Sequence, residues 1–222
     1  MKRLHIFCLL LCSTLFFTCI NDDDDNNQII GSGNIIMEDR VLDDFEGIRI
    51  DGVIEAEISH AMSQSVVVEG DDNIVPRIIT ESDNNLLRVS LESGNYAPGF
   101  RAKVIIKAPL INLIENVGVS DINMNGFEGL DILEVSNFGV GTTNLSGSTS
   151  IFEANNSGVG NIQGFNFISD TCLVSLSGVG NIQVNCNDLL KGNLIGVGNI
   201  LYKGQPEIDV IVSGVGELVD AN

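Results

Sequence analysis

Asn156-Ser157-Gly158-Val159-Gly160-Asn161-Ile162 and, twenty residues later, Leu176-Ser177-Gly178-Val179-Gly180-Asn181-Ile182 are two copies of one pattern, and Gly196-Val197-Gly198-Asn199-Ile200 begins a third. Working outward from these, six copies emerge, with first glycines at Gly118, Gly139, Gly158, Gly178, Gly196 and Gly214 and spacings of 21, 19, 20, 18 and 18. Valine follows in every copy, as Val119, Val140, Val159, Val179, Val197 and Val215. Ser120 and then five glycines stand one position further on. The fourth position after the first glycine is apolar in five copies, with Thr143 the exception. Six and four positions upstream of the later five glycines lie Leu133 and Val135, Phe152 and Ala154, Cys172 and Val174, Leu190 and Gly192, Ile208 and Val210. Alternate residues therefore point to one side, as in a strand.

A period of 18–21 residues with short alternating strands and glycine at the corners specifies an all-β fold, a parallel β-helix-like solenoid in which each coil turns sharply and stacks on the next. An antiparallel sandwich is the alternative, but it gives no reason for every copy to reuse one corner. On the solenoid reading the six valines form an internal aliphatic stack. Because valine is out of step with the upstream apolar column, this placement requires the corner to reset the alternation. Asn161, Asn181 and Asn199 are expected to stack at one corner and satisfy turn backbone groups.

Residues 30–115 read as an N-terminal strand-rich part continuous with the repeats at 116–222. Its strand signals are Ile48 and Ile50, Val53 to Ile58, Val66 to Val68, Leu86 to Leu91 and Lys103 to Ala108. Between Asn73 and Glu81, Ile74, Val75, Ile78 and Ile79 fall at helical spacing around Pro76, so one short helix is expected there. Ser93 to Gly99 carries loop chemistry.

Residues 1–18 read as a signal peptide: Lys2 and Arg3 precede an apolar run, Leu4 to Phe17, too short to span a bilayer permanently. Thr18-Cys19 ends the run, and the arrangement resembles a bacterial lipoprotein signal in which Cys19 takes the lipid. Phe16-Phe17-Thr18 is bulkier than the usual motif. Asp22, Asp23, Asp24 and Asp25 follow within a polar tether, 19–29, and resemble the surface-export signal of Bacteroidota lipoproteins. The expected location is the outer membrane, exposed at the cell surface, with a periplasm-facing orientation as the alternative.

Composition narrows the chemistry. Eleven Lys and Arg against thirty Asp and Glu give a net charge of −19, which repels phosphate backbones, so nucleic acid is excluded as a partner. Two histidines, two tyrosines and no tryptophan leave little for acid–base, metal or stacking chemistry. Gly-x-Gly here lacks the following helix of a dinucleotide site, and the period is about twice that of calcium-binding nonapeptide repeats. No cofactor, metal or catalytic residue is expected. Glu134, Glu153 and Asp209 share an outward column with Leu113, Leu173 and Lys191, a mixed solvent ladder. His60 has no ligand partner at suitable spacing and reads as a loop or hairpin residue. Cys172 sits in the inward column and is expected to be buried. Cys186 aligns with turn glycines of other copies; export permits a Cys172–Cys186 disulfide, although their columns differ.

Gly31-Ser-Gly-Asn-Ile35, the Gly-Val-Gly-Asn-Ile repeats, and Val66-Val-Val-Glu-Gly-Asp-Asp-Asn-Ile-Val-Pro-Arg-Ile78 followed by Leu86-Leu-Arg-Val-Ser90 resemble the head GIN domain family. The resemblance runs from about Ile30 to Val219. Members are called putative auto-transporter adhesins, and many are Bacteroidota lipoproteins. It implies an all-β solenoid-like fold and no established activity. The expected function is thus a surface-anchored, non-catalytic solenoid lipoprotein acting in adhesion or scaffolding, held to a membrane by its lipid and contacting an extracellular protein or glycan. Alternatives are a carbohydrate-binding or carbohydrate-processing solenoid and a self-assembling structural protein. The sixth copy ends at Leu218, and its coil is expected to support a weak, salt-promoted dimer.

Overall fold

A strand with one apolar face needs a second layer to cover it, and coils that wrap their own apolar faces inward supply that layer without helices. The computed structural model describes residues 28–222. Its N-terminal part carries β1 (Ile35–Arg40), β2 (Gly47–Asp51), β3 (Glu55–His60), β4 (Ser65–Asp71), β5 (Ile78–Asp83), β6 (Leu86–Leu91), β7 (Ala102–Ala108) and β8 (Leu113–Asn116). The repeat region carries β9 (Ile122–Asn137), β10 (Val140–Asn156), β11 (Val159–Leu176), β12 (Ile182–Leu194), β13 (Ile200–Lys203), β14 (Glu207–Val212) and β15 (Leu218–Asp220). Cys19 and Asp22 to Asp25 lie outside the described residues.

The repeat strands pair parallel and in sequence, so equivalent residues stack. Leu133, Phe152, Cys172 and Leu190 form one fully buried column, continued by Ile208. Past the corner, Ile122, Thr143, Ile162, Ile182 and Ile200 form another, all buried. A third side brings Phe167 against Phe152, ring centroids 5.4 Å apart and edge to face. Each fully buried large apolar side chain of these columns contributes about 1.5–3 kcal/mol of transfer free energy.

The N-terminal part joins the stack. β2 lies parallel to β8 and β3 parallel to β9, which makes β2–β3 a coil of the same solenoid, with its corner at Gly52-Val53. β6 and β7 lie parallel on the far side of β2 and β3. Antiparallel strands then close that end: β4 and β1 extend the sheet beyond β7, and β5 pairs β6. Such a layer covers an edge that would otherwise template another chain. β14 and β15, at the other end, each pair on one side among the described residues.

The short helix expected between Asn73 and Glu81 is corrected: a single 3-10 turn spans Val75–Arg77, with Pro76 in its first turn, and Ile78–Asp83 is strand. Ile78 pairs with Leu91 and Thr80 with Val89 across the hairpin. The β-branched residues gain sheet neighbours there, which overrides the helical spacing.

Candidate functional site

The repeated corner sets what this surface can do. Leu176, two positions before Gly178, is buried, and so is Ile182, four positions after it. Even-numbered parity therefore runs straight through the corner, and Gly178 and Gly180 occupy the positions in step with the core. A Cβ at Gly178 would lie 2.1 Å from the Gly158 carbonyl oxygen, and one at Gly180 1.8 Å from that of Gly160. Gly180 also adopts φ +132°, disfavoured for any side chain. Valine, out of step between the two, has nowhere to point but outward.

The internal valine stack is thus corrected. Val119, Val140, Val159, Val179 and Val197, with Val53 ahead of them, are each 46–51% exposed, and Val215 is 70% exposed. They do stack, Val53 on Val119 through to Val197 on Val215. The result is a half-exposed aliphatic row along the solenoid. The six first glycines, Gly118 to Gly214, form the tight ladder beside it, each placing a hypothetical Cβ 2.0–2.3 Å from backbone of the preceding coil.

Polar residues flank the row in order. The Asn161 side-chain carbonyl accepts the backbone N–H of Asn181 at 2.9 Å, that of Asn181 accepts Asn199 at 2.8 Å, and that of Asn199 accepts Glu217 at 3.0 Å. Asp121 does the same for Thr142 at 2.8 Å. The expected asparagine stack is present, and each side chain is pinned through its oxygen.

A second asparagine ladder was not read from the sequence. Asn116, Asn137 and Asn156, at the position taken by Leu176 and Leu194 in later coils, are buried inside the corner. Asn116 donates to Asn137 at 3.0 Å, Asn137 to Asn156 at 3.0 Å, and Asn156 to the Gly160 carbonyl at 2.8 Å. The ladder leaves the Asn116 side-chain oxygen Oδ1 buried without a partner among the described residues. The signal was available: Asn recurs two positions before the glycine in three successive copies.

At the N-terminal end of the valine row lies a cleft of about 580 Å3. Val53, Val119, Val140 and Phe100 give it apolar lining, and Arg101, Lys103, Glu55, Glu69 and Asp121 supply charge. The wall that carries Phe100 and Arg101 is held by buried Asp71. Its carboxylate accepts the backbone N–H of Arg101 at 2.7 Å and that of Gly33 at 2.6 Å. Tyr96 packs on Phe100 at 5.0 Å between centroids and anchors its hydroxyl on the Glu92 carbonyl. Lys103 bonds Glu57 at 2.7 Å, and that contact raises its pKa. Arg101 has no ion-pair partner among the described residues. The sequence scattered these groups from Val53 to Val140; the stacking of β3, β7 and the first corners gathers them.

Other sequence expectations resolve simply. Cys172 is buried as expected. Cys186 lies inside strand β12, fully buried, and not in a turn, because its column meets Ser169 of the coil before. Both thiols are free. Their mutual hydrogen bond, then burial, pushes the Cys172 thiol up. The Glu134, Glu153, Leu173, Lys191, Asp209 column is the mixed solvent ladder expected, with Lys191 bonded to Asp209 at 2.8 Å. His60 ends strand β3, and its ring meets Phe127 edge to face at 5.6 Å. No metal-ligating cluster occurs among the described residues, and none of their helices is long and apolar enough to cross a membrane.

Comparison with known proteins follows the fold. Residues 44–206 match the family model described as "Putative auto-transporter adhesin, head GIN domain". A crystal structure of a "putative adhesin" from Bacteroides fragilis is 27% identical, with TM-score 0.72, over 86% of this chain and 98% of that one. A "putative lipid binding protein" from Parabacteroides distasonis is 19% identical, with TM-score 0.57, over 87% and 100% of the two chains. A "putative adhesin" from Parabacteroides merdae is 21% identical, with TM-score 0.51, over 87% and 99%. The last two likenesses show the fold alone. No curated protein sequence matches the chain.

Proposed function

We propose, from the premise that this chain belongs to the putative auto-transporter adhesin, head GIN domain family, that it is a surface-anchored, non-catalytic adhesion or scaffolding module. One observation carries the reading: the seven-valine row, half exposed and held by backbone ladders on both sides. An ordered apolar row left in solvent costs stability that a purely structural corner has no reason to accept, and exposed apolar patches mark interaction surfaces. Rigid stacking also means that little conformational entropy is lost when a partner binds.

The anchor is part of the same proposal. Cys19 takes the lipid and Asp22 to Asp25 direct export to the cell surface. Changing Cys19 to Ala should abolish metabolic fatty-acid labelling and release the protein from membranes. Changing all four aspartates to Ala should leave a labelled protein that protease shaving of intact cells no longer reaches. Cells displaying the protein should adhere to immobilised cell-envelope material, and lose that adherence on shaving or with Cys19→Ala. Equal adherence of displaying and non-displaying cells would overturn the adhesion reading.

A further inference from the structure

The surface around the valine row has a chemistry of its own. In a chain of net charge −19, four successive corners carry no charge at all: Phe138 to Thr142, Ser157 to Asn161, Ser177 to Asn181 and Ile195 to Asn199. Phe138 is 52% exposed and Ile195 60%, widening the apolar strip beside Val140 and Val197. On the opposite flank, Asn161, Asn181 and Asn199 spend their carbonyl oxygens on the next coil, and their amide nitrogens have no partner among the described residues. The solenoid thus presents a row of aliphatic groups alongside a row of fixed N–H donors, both repeating at the coil spacing of about 4.8 Å.

The alternatives fit less well. An added strand finds no free edge, since the corner backbone is already paired: Gly160 donates to Val179 at 2.9 Å and Gly180 to Val197 at 2.9 Å. An anionic lipid surface or polyanion is repelled by the net charge, and the row offers no Lys or Arg to attract it. A second copy of this chain meets the same repulsion. A cationic partner finds no carboxylate to pair with on the four uncharged corners. The partner that fits is neutral, linear and amphipathic, with C–H faces to lie on valine and phenylalanine and hydroxyl or acetyl oxygens to accept from asparagine. A neutral glycan has those properties.

The cleft completes the case at the head of the row. Val53, Val119 and Val140 are both the start of the row and a side of the cleft, so one ligand chain can run from one into the other. Phe100 gives a ring face for a sugar, and Arg101 with Glu55 and Asp121 gives donors and acceptors for its hydroxyls. Resting on the adhesion reading and deepening it, we propose that the cleft and the valine–asparagine row form one binding track for a neutral glycan chain.

Affinity electrophoresis of the protein in gels containing dextran, mannan, xylan or hydroxyethyl cellulose, with polygalacturonate as the anionic counterpart, tests this. Retardation by at least one neutral polymer is expected, unchanged by 0.5 M NaCl, an ionic strength of the order that screens charge contacts beyond a few ångströms. Phe100→Ala and Val159→Asp should each weaken it about tenfold or more, while Ile211→Asp, on exposed β14 away from the track, leaves it intact. Circular dichroism and thermal melts identify any variant that fails on folding grounds, and Asn161→Ser supplies a milder probe of the donor row. The proposal is overturned if none of the four neutral polymers retards the protein, if retardation occurs only with polygalacturonate or vanishes in salt, or if the β14 variant loses as much as the track variants. If displayed cells still adhere in that case, the adhesion reading survives and the glycan assignment alone falls.

Discussion

Gly180→Ala adds one methyl group, and Val179→Asp adds a charge, yet the methyl group should do the greater damage. At Gly180 the new Cβ would stand 1.8 Å from the Gly160 carbonyl oxygen, and the residue would have to keep φ +132°. The backbone conformation alone costs about 1–3 kcal/mol for a non-glycine residue. Relieving the contact requires more than an ångström of separation between coils that are tied by Gly160 N–H to the Val179 carbonyl and by Val179 N–H to the Gly158 carbonyl, both at 2.9 Å. Losing or stretching those bonds adds about 1 kcal/mol each. The sum exceeds about 3 kcal/mol, in the range that single substitutions reach only by a named structural mechanism. Val179, by contrast, is 48% exposed. An aspartate there remains hydrated and gives up about half of a valine's burial energy plus some strand propensity, roughly 1–1.5 kcal/mol. Urea unfolding followed by circular dichroism measures both, provided the m-value stays constant. If Val179→Asp loses as much stability as Gly180→Ala, the outward row and the glycine ladder are both misassigned.

Three further outcomes are expected. Asn137→Leu should cost about 1–3 kcal/mol, because it leaves Asn156 without its donor inside the coil; the triple change of Asn116, Asn137 and Asn156 to Leu should cost less than the sum of the singles, since it matches the later coils, and additive urea midpoints would refute the ladder. The contact between the thiols raises the Cys172 pKa and lowers that of Cys186, so the folded state ionises Cys186 first and keeps the proton on Cys172; the Cys186 contribution grows only until the unfolded thiols ionise at about 8.5, above which the retained Cys172 proton costs stability, so between about pH 9 and 10 the wild type should lose more stability than the Cys172→Ala, Cys186→Ala double variant, and equal losses would refute it. Ile208, Val212 and Val215 are 41–70% exposed around the one-sided strands β14 and β15; sedimentation should show weak association that salt promotes and Val215→Lys reduces, and a strict monomer at low and high salt would dismiss that contact.

The periodic part of the fold was written in the sequence because a solenoid is quasi-one-dimensional: each coil contacts only its neighbours, so glycine spacing and strand alternation translate directly into register. That is why the columns Leu133 to Ile208 and the Asn161 to Asn199 stack were legible residue by residue. The direction of the valines was not, although the parity that decides it was present. Leu176 and Ile182 are six apart, an even number, and keeping step between them puts Val179 outside; only the clash distances at Gly178 and Gly180 show that glycine holds the in-step positions for want of room. The Gly52-Val53 corner was missed because Ile54 stands where the later copies have glycine, and its membership in the stack depends on pairing with Val119, sixty-six positions further along the chain. The cleft belongs wholly to tertiary structure. Phe100, Arg101, Glu55 and Asp121 carry no pattern in sequence, and they meet because β7 and the first corner flank the same strand, with buried Asp71 fixing the wall by two backbone hydrogen bonds that no local spacing encodes.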